Sequence, residues 1–128
     1  KAVSFLTLLG IFMTQNRLWH NPRCSKSRQT FKILESNNVN LTIVKYLEEP
    51  LEFNQLKEIL DLLKLQPREL MRKHEKPYKE QNLANPDLTE EDLINAMINH
   101  PILIERPIFI CNNQAVIGRP PENVLKLI

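Results

Sequence analysis

Apolar positions along this chain change their period several times, and each change marks a new element. A short apolar run over residues 17–19 predicts a first strand. Phe31, Ile33 and Leu34 supply the apolar contacts of a helix over 25–36, which Asn37 and Asn38 close. Residues 41–46 are β-branched and apolar and predict a second strand. Strand, helix, strand in that order predicts a parallel pair with a right-handed crossover. Phe53, Leu56, Ile59, Leu60 and Leu63 recur at helical spacing over 53–63. Pro67 fits the first turn of a further helix that faces Leu70 and Met71 inward. Residues 74–88 are polar, contain Pro77 and Pro86, and predict short helices and loops. Thr89 reads as the N-cap of the next helix, with Asp92 near the capping-box position. Leu93, Ala96 and Met97 form its expected buried face, and Pro101 closes it. Residues 108–111 and 115–117 predict two last strands. The turn between them is Asn112–Asn113, residues that tolerate left-handed backbone. A final helix from Pro120 or Pro121 carries Val124, Leu125 and Ile128.

The order is β-α-β, then helices, then β-β-α. It predicts an α/β fold: a thioredoxin-like mixed four-stranded sheet flanked by helices, with a helical insertion over roughly residues 50–100. No repeat or linker divides residues 13–128, which read as a single domain. Residues 1–12 differ, being apolar behind one lysine. The run is too short to span a bilayer, and no small-residue cleavage pattern follows it. The expectation is that Met13 is the natural start and residues 1–12 are an appended or disordered extension. A genuine extra strand or helix is the alternative.

The chain has 128 residues, enough for one domain with a real core. Its formal charge of +2 is too balanced to argue for nucleic acid or an acidic membrane surface. Two cysteines far apart in sequence do not make a disulfide framework, and His20, His74 and His100 pair with neither at zinc-ligand spacing.

Chemistry concentrates in His20-Asn21-Pro22-Arg23-Cys24-Ser25-Lys26-Ser27-Arg28. This stretch puts Cys24 at a strand-to-helix junction. A thiol at a helix N-terminus faces unpaired N–H groups and the positive end of the helix dipole. Both favour the thiolate, which is the nucleophile. Arg23, Lys26 and Arg28 add positive charge, and Pro22 stiffens the loop. Helix N-termini also bind oxyanions, so nucleophile and anion cradle coincide. The plainer alternative is a buried structural cysteine in a basic loop. A reactive Cys24 must be kept reduced, which points to a cytoplasmic setting. Cys111 reads as a buried strand residue, with a resolving role only if it reaches Cys24. Trp19 and His100 read as packing residues.

The chain resembles the glutaredoxin-linked arsenate reductases, a thioredoxin-fold family. The resemblance runs from about Arg17 to Ile128. It is carried by H-N-P-R-C-S-K-S-R at 20–28, Y-L-E-E-P at 46–50, R-E-L-M-R-K at 68–73, H-P-I-L-I-E-R-P-I at 100–108 and G-R-P-P-E at 118–122. It implies that Cys24 is the nucleophile and that His20 and Ser27 support its thiolate. It implies that Arg72, Arg106 and Arg119 gather around the oxyanion. Pro107 falls where thioredoxin folds carry a cis peptide bond beside the active cysteine. The implied reaction reduces arsenate to arsenite through a cysteine adduct, with glutathione as co-substrate and glutaredoxin as partner. No metal or tightly bound cofactor is implied, and the expected protein is monomeric, with no nucleic acid or membrane partner. Arsenate is a tetrahedral anion, and planar, permanently charged guanidiniums suit such a ligand.

Two neighbouring patterns fail. The C-x-x-x-x-x-R loop of low-molecular-weight phosphatases would need arginine where Thr30 stands, and a C-x-x-C pair would need cysteine at Ser27. The competing functions are a glutathione-linked thiol oxidoreductase acting on another substrate and a non-enzymatic, Spx-like regulatory interaction protein. The set of three arginines disfavours the last, since a protein-binding module needs no oxyanion pocket.

Overall fold

The computed structural model describes residues 16–128; the expectations for residues 1–12 and the start at Met13 lie outside them. The described chain divides into two compact units, residues 16–44 with 106–128, and residues 45–105.

The first unit is built on a mixed sheet of β1 (Asn16–Trp19), β2 (Leu41–Val44), β3 (Ile108–Cys111) and β4 (Gln114–Ile117), in the order β2-β1-β3-β4. Strands β1 and β2 are parallel, as the crossover through helix α1 (Ser25–Ser36) requires, and β3 runs antiparallel to both β1 and β4. Leu18 faces Phe109 across the β1–β3 pair, and both are fully buried with Leu34 of α1 and Val124. Phe31 and Ile33 pack against this cluster, as their spacing predicts. Asn112 and Asn113 have φ of 51° and 60°, the left-handed pair that a two-residue hairpin demands.

Two expectations change here. Strand β2 stops at Val44, opposite the last residue of β1, and Lys45–Glu49 turn away instead of extending the strand to Tyr46. The final helix is a 3-10 helix, Pro121–Leu127. Its three-residue repeat stacks Pro121 and buried Val124 on one side with Leu127, and leaves Leu125 and Ile128 exposed.

The second unit contains the helical insertion: α2 (Phe53–Leu63), α3 (Lys76–Glu80) and α4 (Glu90–Asn99). Leu56, Ile59 and Leu60 make the buried stripe of α2, which packs on α4. The expected helix at Pro67 is a single 3-10 turn, Pro67–Leu70, because Met71 is already extended and bridges Ile104. Leu70 and Met71 are buried all the same. Helix α4 buries Leu93, Ile94 and Met97, with Ala96 only half-buried. No helix among the described residues is long and apolar enough to cross a membrane.

The near-neutral total charge conceals an uneven distribution. Residues 16–44 and 106–128 carry eight Lys and Arg against two Asp and Glu, whereas residues 45–105 carry eight against thirteen.

The cap of α4 has a measurable worth. Thr89 Oγ1 accepts from the Asp92 N–H at 3.1 Å, and Asp92 Oδ2 accepts from the Thr89 N–H at 2.9 Å. Thr89→Ala removes the Oγ1 half of this box and is expected to cost about 1 kcal/mol in a denaturant titration. Thr89→Ser should recover most of it. An unchanged midpoint in Thr89→Ala would show that α4 is held by packing alone.

Candidate active site

Five residues connect β1 to α1, held by bonds within the loop and to α1 and β2, the His20 N–H donating to the Val44 carbonyl of β2 at 3.1 Å. The Cys24 N–H donates to the Asn21 carbonyl at 3.0 Å, and the Arg23 N–H to Asn21 Oδ1 at 3.0 Å. Ser27 Oγ is fully buried; it accepts from the Asn21 N–H at 3.0 Å and lies 2.6 Å from His20 Nδ1. Arg28 Nη1 closes the loop from outside by donating to the Pro22 carbonyl at 2.9 Å. Cys24 is thereby fixed as the N-cap of α1, in extended conformation, with a free and nearly buried thiol.

Burial by itself pushes the Cys24 thiol up. The Arg106 guanidinium, through a hydrogen bond and its charge, and the backbone N–H groups of Ser27 and Lys26 outweigh this and hold it below an ordinary cysteine. Arg119 adds a donor, with Nη2 3.5 Å from Sγ, and its Nε is anchored on the Arg106 carbonyl at 2.7 Å. The two arginines are therefore fastened to each other as well as to the sulfur. Each precedes a proline across a cis peptide bond, Arg106–Pro107 and Arg119–Pro120. His20 acts one step back. Its ring sits against Phe31 and on the Ser27 hydroxyl, and burial, then the Arg28 charge, lowers its pKa. A neutral His20 braces the first turn of α1 and brings no positive charge to the sulfur.

Arg72 belongs to the other unit. Its N–H donates to the Leu103 carbonyl at 2.7 Å, and the Glu105 N–H returns to the Leu70 carbonyl at 2.8 Å. Its guanidinium contacts Glu75 at 3.2 Å, Glu105 at 3.0 Å and His74 Nε2 at 3.1 Å. Burial would lower its pKa, but the two carboxylates prevail and raise it. Cys111 is different again. It lies in the core cluster with Leu18 and Phe109, its Sγ donates to the Leu127 carbonyl at 3.6 Å, and burial pushes its thiol up. Among the described residues no group of His, Cys, Asp and Glu could hold a metal ion.

A thiol held below its ordinary pKa beside two guanidiniums suits attack on an anionic electrophile. The ArsC family profile matches residues 19–127. The chain belongs to the ArsC family. It is 50% identical over 115 residues, 89% of this chain and 97% of the other, to Uncharacterized protein YfgD of Escherichia coli (strain K12). It is 42% identical to the Arsenate reductase of Neisseria meningitidis serogroup B over 88% of this chain and 97% of that protein. The solved structure of the arsenate reductase from Vibrio cholerae superposes with a TM-score of 0.86 at 44% identity, covering 90% of this chain and 98% of that one. The fold is thus the thioredoxin-like fold of ArsC proteins.

Two residues shape the site although the motifs assign them no role. Asn21 organises the loop, and its position two residues before Arg23 is the local signal for an Asx-turn. Thr30 is fully buried on the underside of α1, where only its close approach to Gly118 shows its importance.

Two measurements follow from these environments. Alkylation against pH, read at each cysteine by peptide mass spectrometry, should show Cys24 reacting with a midpoint below that of a free cysteine and Cys111 reacting far more slowly at neutral pH. Equal rates would contradict the electrostatic account. His20 gives a pH dependence of stability. Its folded pKa lies below its unfolded value, so the unfolded chain binds the extra proton first. Its contribution is complete above about pH 6.5, the unfolded value, and is lost as the pH falls from there through the folded pKa. His20→Gln should flatten that part of the stability–pH curve.

Proposed function

We propose that this protein is an arsenate reductase whose nucleophile is Cys24. The observation that carries this reading is the Cys24 thiol at the start of α1, met by the Arg106 guanidinium and by Arg119 Nη2 at 3.5 Å, with Arg119 Nε anchored on the Arg106 backbone carbonyl. The thiolate attacks arsenic(V), one oxygen leaves as water, and a Cys24–arsenic adduct with three oxygens remains. Developing charge on those oxygens falls on the guanidiniums. Glutathione sulfur then attacks Cys24 sulfur. The sulfur–arsenic bond breaks with its electron pair on arsenic, which takes the thiol proton and departs as arsenite. Cys24 is left in a disulfide with glutathione, and glutaredoxin removes it by thiol exchange.

His20 and Ser27 serve this chemistry by bracing the loop and the first turn of α1. Pro107 fixes the chain that follows Arg106. Arg72 enters as a third substrate-binding arginine through its motif, and its carboxylate partners keep it charged. The reaction needs no metal or tightly bound cofactor and belongs to a reducing cytoplasm, where the protein acts as a monomer.

Arsenite production with glutathione and glutaredoxin tests the reading. Cys24→Ser should abolish turnover and Cys111→Ser should leave it largely intact. Arg106→Ala, Arg119→Ala and Arg72→Ala should each lower kcat/KM for arsenate roughly ten- to a hundred-fold, the worth of one charge-assisted hydrogen bond of about 1.5–3 kcal/mol. Arg→Lys at these positions should recover little, because it keeps the charge and loses the planar fork. Turnover that survives Cys24→Ser, or that is indifferent to glutathione, would overturn the scheme.

A further inference from the structure

Gly118 is buried, yet its backbone is not in the left-handed region that usually calls for glycine. The reason for glycine is space. A Cβ at 118 would lie 2.6 Å from Thr30 Oγ1, 2.8 Å from Pro107 Cγ and 3.1 Å from Thr30 Cγ2, whereas ordinary contact begins at 3.4 Å. Three segments meet at this point: α1, the chain leaving Arg106 and the chain entering Arg119. They are also bonded together. The Gly118 N–H donates to the Pro107 carbonyl at 2.9 Å, and Arg119 Nε to the Arg106 carbonyl at 2.7 Å. On the helix side, Thr30 Oγ1 donates to the Lys26 carbonyl at 2.8 Å, in the same turn whose N–H groups address Cys24.

We propose that Gly118 and Thr30 are positioning residues: the absent side chain at 118 sets how closely the two arginine-bearing segments approach α1, and thereby holds Arg106 and Arg119 on the Cys24 sulfur. The proposal rests on Cys24 being the working thiol. Arg119 Nη2 reaches Sγ at 3.5 Å, an ordinary N–H···S distance, and a displacement of the Gly118 segment carries this donor away from the sulfur. Neither Gly118 nor Thr30 touches the sulfur in any hydrogen bond described above. Their effect passes through the two guanidiniums.

Gly118→Ala should therefore change the thiol as well as the stability. Alkylation of Cys24 by iodoacetamide, followed against pH by peptide mass spectrometry, should show its midpoint raised and its rate at neutral pH reduced roughly three- to tenfold. Thr30→Ala, which thins the contact from the helix side without overlap, should move the midpoint less. In the double variant the new methyl no longer overlaps Thr30 and keeps only its overlap with Pro107 Cγ, so its midpoint should lie nearer the parent than that of Gly118→Ala. Such coupling is expected only of residues in contact. Val124→Ala, a core change in the same unit, is the control: it should lower the melting temperature and leave the midpoint where it was. Should Gly118→Ala fail to fold, Thr30→Ala and the double variant still supply the comparison. A Gly118→Ala protein that melts earlier but titrates like the parent overturns the proposal, as does a double variant whose shift is the sum of the two singles. Arsenite production by the parent is measured alongside. A parent that makes none sinks the substrate assignment, while a shift of the Cys24 midpoint still supports the positioning role.

Discussion

A five-residue connection must take the chain from β1 into α1 and still leave the first N–H groups of the helix for a sulfur atom. Everything at the site depends on meeting both demands. Backbone donors at a partly buried junction need partners, and here Asn21 of the loop and Ser27 of the first helical turn supply them. With those demands met locally, the N–H groups of Ser27 and Lys26 remain for Cys24. Had the loop drawn on them instead, the thiol would keep the burial that opposes ionisation and lose part of what favours it.

The same balance explains why two arginines are tied to one another. A thiolate in a recess is disfavoured unless charge and donors are brought to it. A single flexible cation would surrender side-chain freedom to stay there. Arg119 is anchored through Nε to the backbone of Arg106, so part of that ordering is already complete before any ligand arrives. Burial and the Arg28 charge disfavour a positive charge on His20, whose ring is spent on Ser27. Positive charge comes instead from planar guanidiniums, which also present paired donors to an oxyanion.

Much of this was legible in the sequence because the signals are local. Helix α1, its start after Cys24, the Thr89 cap and the Asn112–Asn113 hairpin all rest on residues within a few positions of one another. The C-terminal segment was only half legible. Periods of 3.0 and 3.6 both turn Val124 inward and disagree about Leu125 and Ile128. Arg72 shows the same divide. Its partner Glu75 lies three residues on, where a sequence pattern can reveal it, while Glu105 lies 33 residues away. Thr30 and Gly118 are 88 residues apart, and no periodicity announces that the Thr30 side chain must lie against the Gly118 backbone.

The uneven charge has a kinetic side. The unit holding Cys24 carries a surplus of six positive charges, while the chain as a whole carries only two. The formal charge of +2 describes the whole molecule and averages this difference away. A small anion diffusing close to Cys24 meets the local field instead, within a Debye length of about 8 Å at physiological salt. Encounter with anions should therefore slow as salt is added, more steeply than a protein of charge +2 would suggest.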